Sequence, residues 1–107
     1  MNHTNEATEL FKQAQPLFIA LGDENRQQII VQLLNTHKLS VNDIAANTPL
    51  SRPAVSHHLK LLYAAGLVSI ERNGTQRLYY ISDDAIKHIE LLEKLTAALR
   101  ACTNWQN

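Results

Sequence analysis

At 107 residues the chain has room for one domain with a modest core. Its ten basic and ten acidic side chains cancel, so the overall charge does not mark it as a nucleic-acid binder. No apolar run approaches the roughly 18 residues of a membrane span, the N-terminus shows no secretory pattern, and the lone Cys102 excludes an intramolecular disulfide framework and fits a reducing cytosol.

Residues 1–5 are polar and expected to fray. From Glu6 to about Leu21, the residues Leu10, Phe11, Ala14, Leu17, Phe18 and Leu21 recur at steps of three or four, which predicts a helix with one buried face. Pro16 falls inside that pattern and should kink or split the helix. Ile19 lies off the stripe, so the helix is either a core element or one shared with a partner subunit. Asp23 suits the N-cap of a second helix that carries Ile29, Ile30, Leu33 and Leu34 and ends near Asn35-Thr36. Arg26, on its first turn, reads as a surface arginine without a direct role in binding.

Leu39-Ser-Val forms a short extended segment, and a helix of about seven residues starts at Ser40 or Val41. Asp43 favours the dipole at its start, Ile44 and Ala45 face inward, and Asn47-Thr-Pro-Leu ends it. Ser51 caps a longer helix whose first turn tolerates Pro53. Val55, Leu59 and Leu62 form its buried stripe, which leaves Arg52, Ser56, His57 and Lys60 on other faces. Gly66 reads as its left-handed terminator.

Val68–Arg72 and Gln76–Ile81 are rich in strand formers, and Asn73-Gly74 predicts a type I′ hairpin with positive φ at both residues. Ser82, Asp83 and Asp84 open a last helix with Ile86, Ile89, Leu91, Leu92, Leu95, Ala98 and Leu99. That band is wider than one terminal helix needs, so it reads as partly buried in a second subunit. The alternative is a helix packed wholly on its own core.

The order is short helix, turn, longer helix, then a hairpin with a basic tip. Such a unit can place its second helix in a DNA major groove with the hairpin as a wing. The expected fold is mainly α with a small β-hairpin wing: a single winged helix-turn-helix domain over 1–107, in the order α-α-(β)-α-α-β-β-α. The helix-turn-helix spans about 41–65, the wing about 67–81, and dimerisation helices about 6–21 and 83–102. Residues 51–80 hold Arg52, Lys60, Arg72 and Arg77 against Glu71 alone, a local balance of +3. Charge attraction is local, because salt screens over about 8–10 Å. The expected DNA-binding set is Ser51, Arg52, Pro53, Ser56, His57, Lys60, Arg72, Asn73, Gly74, Thr75 and Arg77. Ser56 and His57 can hydrogen-bond base edges or phosphates, and the cations suit phosphates. The expected dimer interface is Leu10, Phe11, Ala14, Leu17, Phe18, Ile89, Leu92, Leu95 and Leu99.

Three motifs carry a resemblance. Leu21-Gly-Asp-Glu-Asn-Arg-Gln-Gln-Ile resembles the "ALadptRlrIL" opening of ArsR/SmtB-type repressors. Ser51-Arg-Pro-Ala-Val-Ser-His-His-Leu-Lys-Leu-Leu resembles their recognition-helix motif, and Ala65-Gly-Leu-Val followed by Arg-x-Gly-x-x-x-x-Tyr-Tyr resembles their wing. The likeness covers about residues 8–100. It implies an elongated homodimer built on the first and last helices that represses transcription at palindromic operators on double-stranded DNA.

Many members of that family release DNA on binding metal, and this chain departs from their sensor positions. Where one family site has Leu-Cys-Val-Cys-Asp-Leu, this chain has Leu39-Ser40-Val41-Asn42-Asp43-Ile44, without either thiolate that a soft metal needs. At the second site Asp83 survives, while the other ligands become Ala85, Thr96 and Leu99, too few for a zinc site. Adjacent His57 and His58 project about 100° apart on a helix and make poor joint ligands; His58 points toward the buried side and a partner there. His3, His37, His88 and Cys102 remain as scattered candidates. No metal and no cofactor is expected, and the sequence does not identify an effector: a small organic ligand, a persulfide or oxidant, an unusual metal set and no effector at all stay open. The alternatives are a metal-responsive repressor with an atypical site and a redox-responsive one using Cys102. A protein-interaction module on the same scaffold is the rival class; no catalytic motif supports an enzyme.

Overall fold

A computed structural model describes residues 3–106 of the chain, with side chains described for residues 5–103. Six helices and one hairpin follow in order: α1 (His3–Gln13), α2 (Gln15–Leu21), α3 (Glu24–Asn35), α4 (Val41–Ala46), α5 (Arg52–Ala64), β1 (Val68–Asn73), β2 (Gln76–Ile81) and α6 (Ala85–Gln106). The helix starts earlier than its polar lead suggested, since residues 3–5 are already helical; residues 1 and 2 and the side chain of His3 lie outside the described set.

Pro16 splits the first predicted helix. It sits near the start of α2 and has no N–H to offer Lys12, so the chain breaks at Ala14 and restarts. Asp23 caps α3, its carboxylate accepting from the Arg26 N–H at 3.1 Å. That bond holds the Asp23 carboxyl below the usual range, with the Arg26 charge assisting and burial opposing. Ser40 opens α4 through a reciprocal capping box with Asp43. The Ser40 backbone N–H, with its hydroxyl, likewise holds the Asp43 carboxyl low.

The core lies where α3, α4 and α5 meet. Ile29, Ile44, Val55, Leu59 and Leu62 are fully buried there, each contributing about 1.5–3 kcal/mol by leaving water. Leu17, Leu33, Leu67, Val68, Tyr79 and Ala85 complete the cluster. Leu34, expected to share this role, is 68% exposed. Leu39 pairs with Tyr79 through two backbone hydrogen bonds, 3.0 and 2.7 Å, adding a bridge to the edge of β2.

β1 and β2 pair antiparallel, with Asn73 opposite Gln76. The turn is therefore Gly74-Thr75 and not Asn73-Gly74. Gly74 has φ +66°, and among the described residues no non-glycine residue has positive φ. Glycine first and an ordinary second residue is the pattern of a type II′ turn, which corrects the type I′ expectation.

The molecule is elongated, 55 × 25 × 21 Å with a radius of gyration of 16.7 Å, against about 13 Å for a compact chain of this length. Its surface of 7300 Å² also exceeds the roughly 6,000 Å² of a compact monomer of this mass. α1 packs along α6, burying Ala7, Ala14, Leu95 and Ala98. Ala14 and Leu95, expected at a dimer interface, are thus already covered within the chain, and Leu17, in α2, is buried in the central core. Leu10, Phe18 and Leu92 are half-buried, while Phe11, Ile89 and Leu99 remain exposed. Ile19 and Ile86 are exposed on the same three helices. No helix among the described residues is long and apolar enough to cross a membrane.

Candidate nucleic-acid interface

α5 is built to present one face. Ser51 caps it by accepting from the Ala54 N–H, and Pro53 sits in the first turn, where no helical N–H partner is required. Val55, Leu59 and Leu62 anchor the inner side. Ser51, Arg52, Pro53, Ser56, His57 and Lys60 are all exposed. The Arg52 guanidinium donates to Asn42 Oδ1 at 3.2 Å, tying the start of α5 to α4. Asn42 escaped the sequence reading because nothing local distinguishes it.

His58 does face inward, as its place on the helix suggested, and its partner is Arg26. Arg26 is not a surface residue: it is 9% exposed. Its Nε donates to Ala20 O at 2.9 Å and its Nη2 to Ile19 O at 2.7 Å. Its Nη1 lies 3.1 Å from His58 Nδ1. A guanidinium only donates, so His58 Nδ1 accepts and carries no proton. Arg26 thereby caps the open carbonyls at the end of α2 and braces the inner side of α5. Its capital place in the motif that opens this helix was the available signal.

Gly66 ends α5 with φ +78°, and the ring of His88 lies against its Cα where any side chain would stand. This fixes the turn from α5 into β1 and gives His88 a packing role. At the wing, Arg72, Asn73, Gly74, Thr75 and Arg77 are exposed. Arg72 lies directly opposite Arg77 across the hairpin. By the alternation from the turn this is a non-hydrogen-bonded pair, the kind whose side chains approach more closely. Like charges so placed destabilise a hairpin. The one nearby acid does not relieve them: Glu71 pairs with Lys38 at 3.0 Å, and Lys38 also lies 5.1 Å from the Tyr80 ring centre. Neither wing arginine has an ion pair among the described residues.

Elsewhere, no three His, Cys, Asp or Glu side chains gather at one point among the described residues. Cys102 is half-buried and lines a shallow cavity with Phe11, Lys12 and Leu99.

The arrangement has close relatives. Residues 23–69 match the model of the arsR family of bacterial regulatory proteins. An HTH-type transcriptional regulator of Methanocaldococcus jannaschii is 35% identical over 81% of this chain and 99% of its own length. The arsenical resistance operon repressor of Bacillus subtilis is 30% identical over 87% of this chain and 88% of that protein. A homodimeric winged helix-turn-helix DNA-binding domain from Mycobacterium bovis superposes with a TM-score of 0.66 at 28% identity, covering 84% of this chain and 82% of that one. The chain therefore belongs to the ArsR family of winged helix-turn-helix, DNA-binding transcriptional regulators, a family of regulators and not of enzymes.

Proposed function

We propose that two copies of this chain form a repressor that binds a palindromic operator and lets go on meeting an effector. The unneutralised Arg72–Arg77 pair at the wing carries this reading. The fold tolerates two like charges side by side there, and a polyanion supplies what they lack. In this reading α5 enters the major groove. Ser56 and His57 meet base edges, Arg52 and Lys60 meet phosphates, and the wing follows the backbone or minor groove. A twofold axis would present the two helices to half-sites about 34–36 Å apart or a multiple of that.

The surface in excess of a compact monomer is on the order of 1,000 Å², comparable with the roughly 800 Å² one partner gives to a standard interface. The apolar residues Phe11, Ile89 and Leu99, with half-buried Leu10, Phe18 and Leu92, are the surface such a dimer would cover. Ala14, Leu17 and Leu95 support it from beneath.

Fluorescence anisotropy on the DNA upstream of the chain's own gene tests the reading, with random duplex as control. Ser56→Ala and His57→Ala should lower preference for the operator. Arg72→Ala should weaken both duplexes alike and reduce the salt slope by about one. Equal losses on both duplexes for all three variants would refute this division of roles. Salt-independent or absent duplex binding would refute DNA as the partner.

A further inference from the structure

We infer that the cleft between α3 and α4 is a binding site for an uncharged organic ligand with a lactam or amide edge. The cleft holds about 700 Å³, within the range of small-molecule sites. One wall is a row of carboxamides on a single face of α3: Asn25, Gln28, Gln32 and Asn35. Their spacing of three, four and three residues places them along about 15 Å of helix. Asn47 adds a fifth carboxamide from the opposite side, and Val31 and Leu50 supply apolar contact.

The chemistry of the lining selects the ligand. No Lys, Arg or His faces the cleft, and its one ionisable group is Asp43. That carboxylate is engaged with the Ser40 N–H at 3.0 Å. Phosphates and carboxylates therefore find no counter-charge here, in contrast to the basic wing. Carboxamides offer a donor and an acceptor side by side. A molecule presenting N–H next to C=O pairs with them in the two-bond manner that glutamine and asparagine use on a base edge. A nucleoside base and a cyclic dipeptide share that edge.

Several of these groups lack protein partners. The Asn25 and Gln28 side chains make no hydrogen bond among the described residues. Gln32 Oε1 is buried without an acceptor's partner, while its Nε2 reaches Ile44 O at a long 3.4 Å. A buried acceptor left unpaired forfeits its hydrogen bond to water and gains none in return. Gln32 also bridges α3 to α4 through this long bond, above the packed core of Ile29 and Ile44, and a ligand can recruit its carboxamide. The floor includes Thr48, Pro49 and Leu50, the turn that leads into Ser51 and the start of α5. Filling the cleft would move α4 and that turn, and with them the Asn42–Arg52 link. The regulatory half of this inference rests on the DNA-binding reading; ligand binding itself does not.

The test is a nuclear magnetic resonance titration of the full chain without DNA, using inosine, uridine and cyclo(Gly-Leu) separately, with acetate and inorganic phosphate as controls. Expected are saturable shifts of the Gln28 and Gln32 side-chain amides and of backbone amides 47–50 with at least one lactam probe, and none with the anions. Nucleosides alone or the cyclic dipeptide alone then identifies the source. Gln28→Ala, on the exposed rim, should weaken binding about tenfold, as should Gln32→Leu if it folds. No saturable shift with any of the three probes up to about 10 mM, or equal shifts with acetate, overturns the site. A bound probe should then change operator affinity by about tenfold; saturable binding that leaves it unchanged overturns the regulatory half.

Discussion

Replacing Arg26 by Met keeps most of the buried stem and removes the guanidinium. The loss can be worked from its partners. Ile19 O and Ala20 O, at the end of α2, lose donors at 2.7 and 2.9 Å, and His58 Nδ1 loses one at 3.1 Å. Each acceptor stranded in a buried place costs about 1–3 kcal/mol. The cation's interaction with the helix end adds up to about 1 kcal/mol. Against this, the variant no longer has to strip water from a buried cation, which offsets part of the loss. Ile19 O and His58 Nδ1 are only part-buried and can recover a water, which leaves Ala20 O as the acceptor stranded in a buried place. A net loss of about 2 kcal/mol follows, a sizeable share of the 5–15 kcal/mol typical of a domain. Urea unfolding at fixed protein concentration should show a midpoint lowered by about 1 M, for a slope near 2 kcal/mol/M. Arg26→Lys should fall between, since one ammonium cannot serve three acceptors set around a planar fork. A loss below about 0.5 kcal/mol for Arg26→Met would refute the account of Arg26 as the cap of α2 and brace of α5.

Gly66→Ala should destabilise by more than about 1 kcal/mol, from the positive φ and from the His88 ring standing where the methyl would go. In a His88→Ala background the ring contribution vanishes and only the backbone cost remains, so a thermal-unfolding double-mutant cycle should show coupling of at least about 0.5 kcal/mol. Strict additivity would count against the packing of His88 on Gly66. For Asp43 the folded carboxyl sits below its ordinary 3.8, so its stabilisation is complete above that value and is lost as pH falls through the lower folded one. Acid unfolding followed by circular dichroism should be shallower in Asp43→Asn than in the unmodified chain below about pH 4; parallel acid limbs would contradict the capping box.

Most element boundaries were legible because they rest on local chemistry. Asp23, Ser40 and Ser51 each stop the chain from starting a helix anywhere else, and Pro16 forces the break at Ala14. The stripe Val55, Leu59 and Leu62 could be read because burial at steps of three and four has one helical meaning. Two kinds of feature escaped. The hairpin register was misplaced by one residue, since Asn-Gly signals a turn without saying which of its residues lie at the centre. Arg26 was misjudged because its burial depends on carbonyls six and seven residues back and a ring 32 residues ahead, none of which is local. The same limit applies to Ala14, Leu17 and Leu95. A helical stripe shows that a face is buried, and only the packing of α1 on α6, and of α2 on the core for Leu17, shows that the chain itself does the burying.

The wing shows why a formal net charge of zero misleads. What matters is which charges neutralise one another within a screening length. Glu71 lies next to Arg72 in sequence, yet neighbouring strand residues point to opposite faces. Its carboxylate turns to Lys38 and closes the base of the wing. The strand period thus separates the acid from the two arginines and leaves Arg72 and Arg77 facing each other. A hairpin selected for stability alone would place an acid at one of those two positions. The absence of one means that the wing is less stable alone than it could be. Binding a polyanion would remove that repulsion, so affinity and wing order are linked: whatever neutralises the arginines also stabilises the hairpin that carries them.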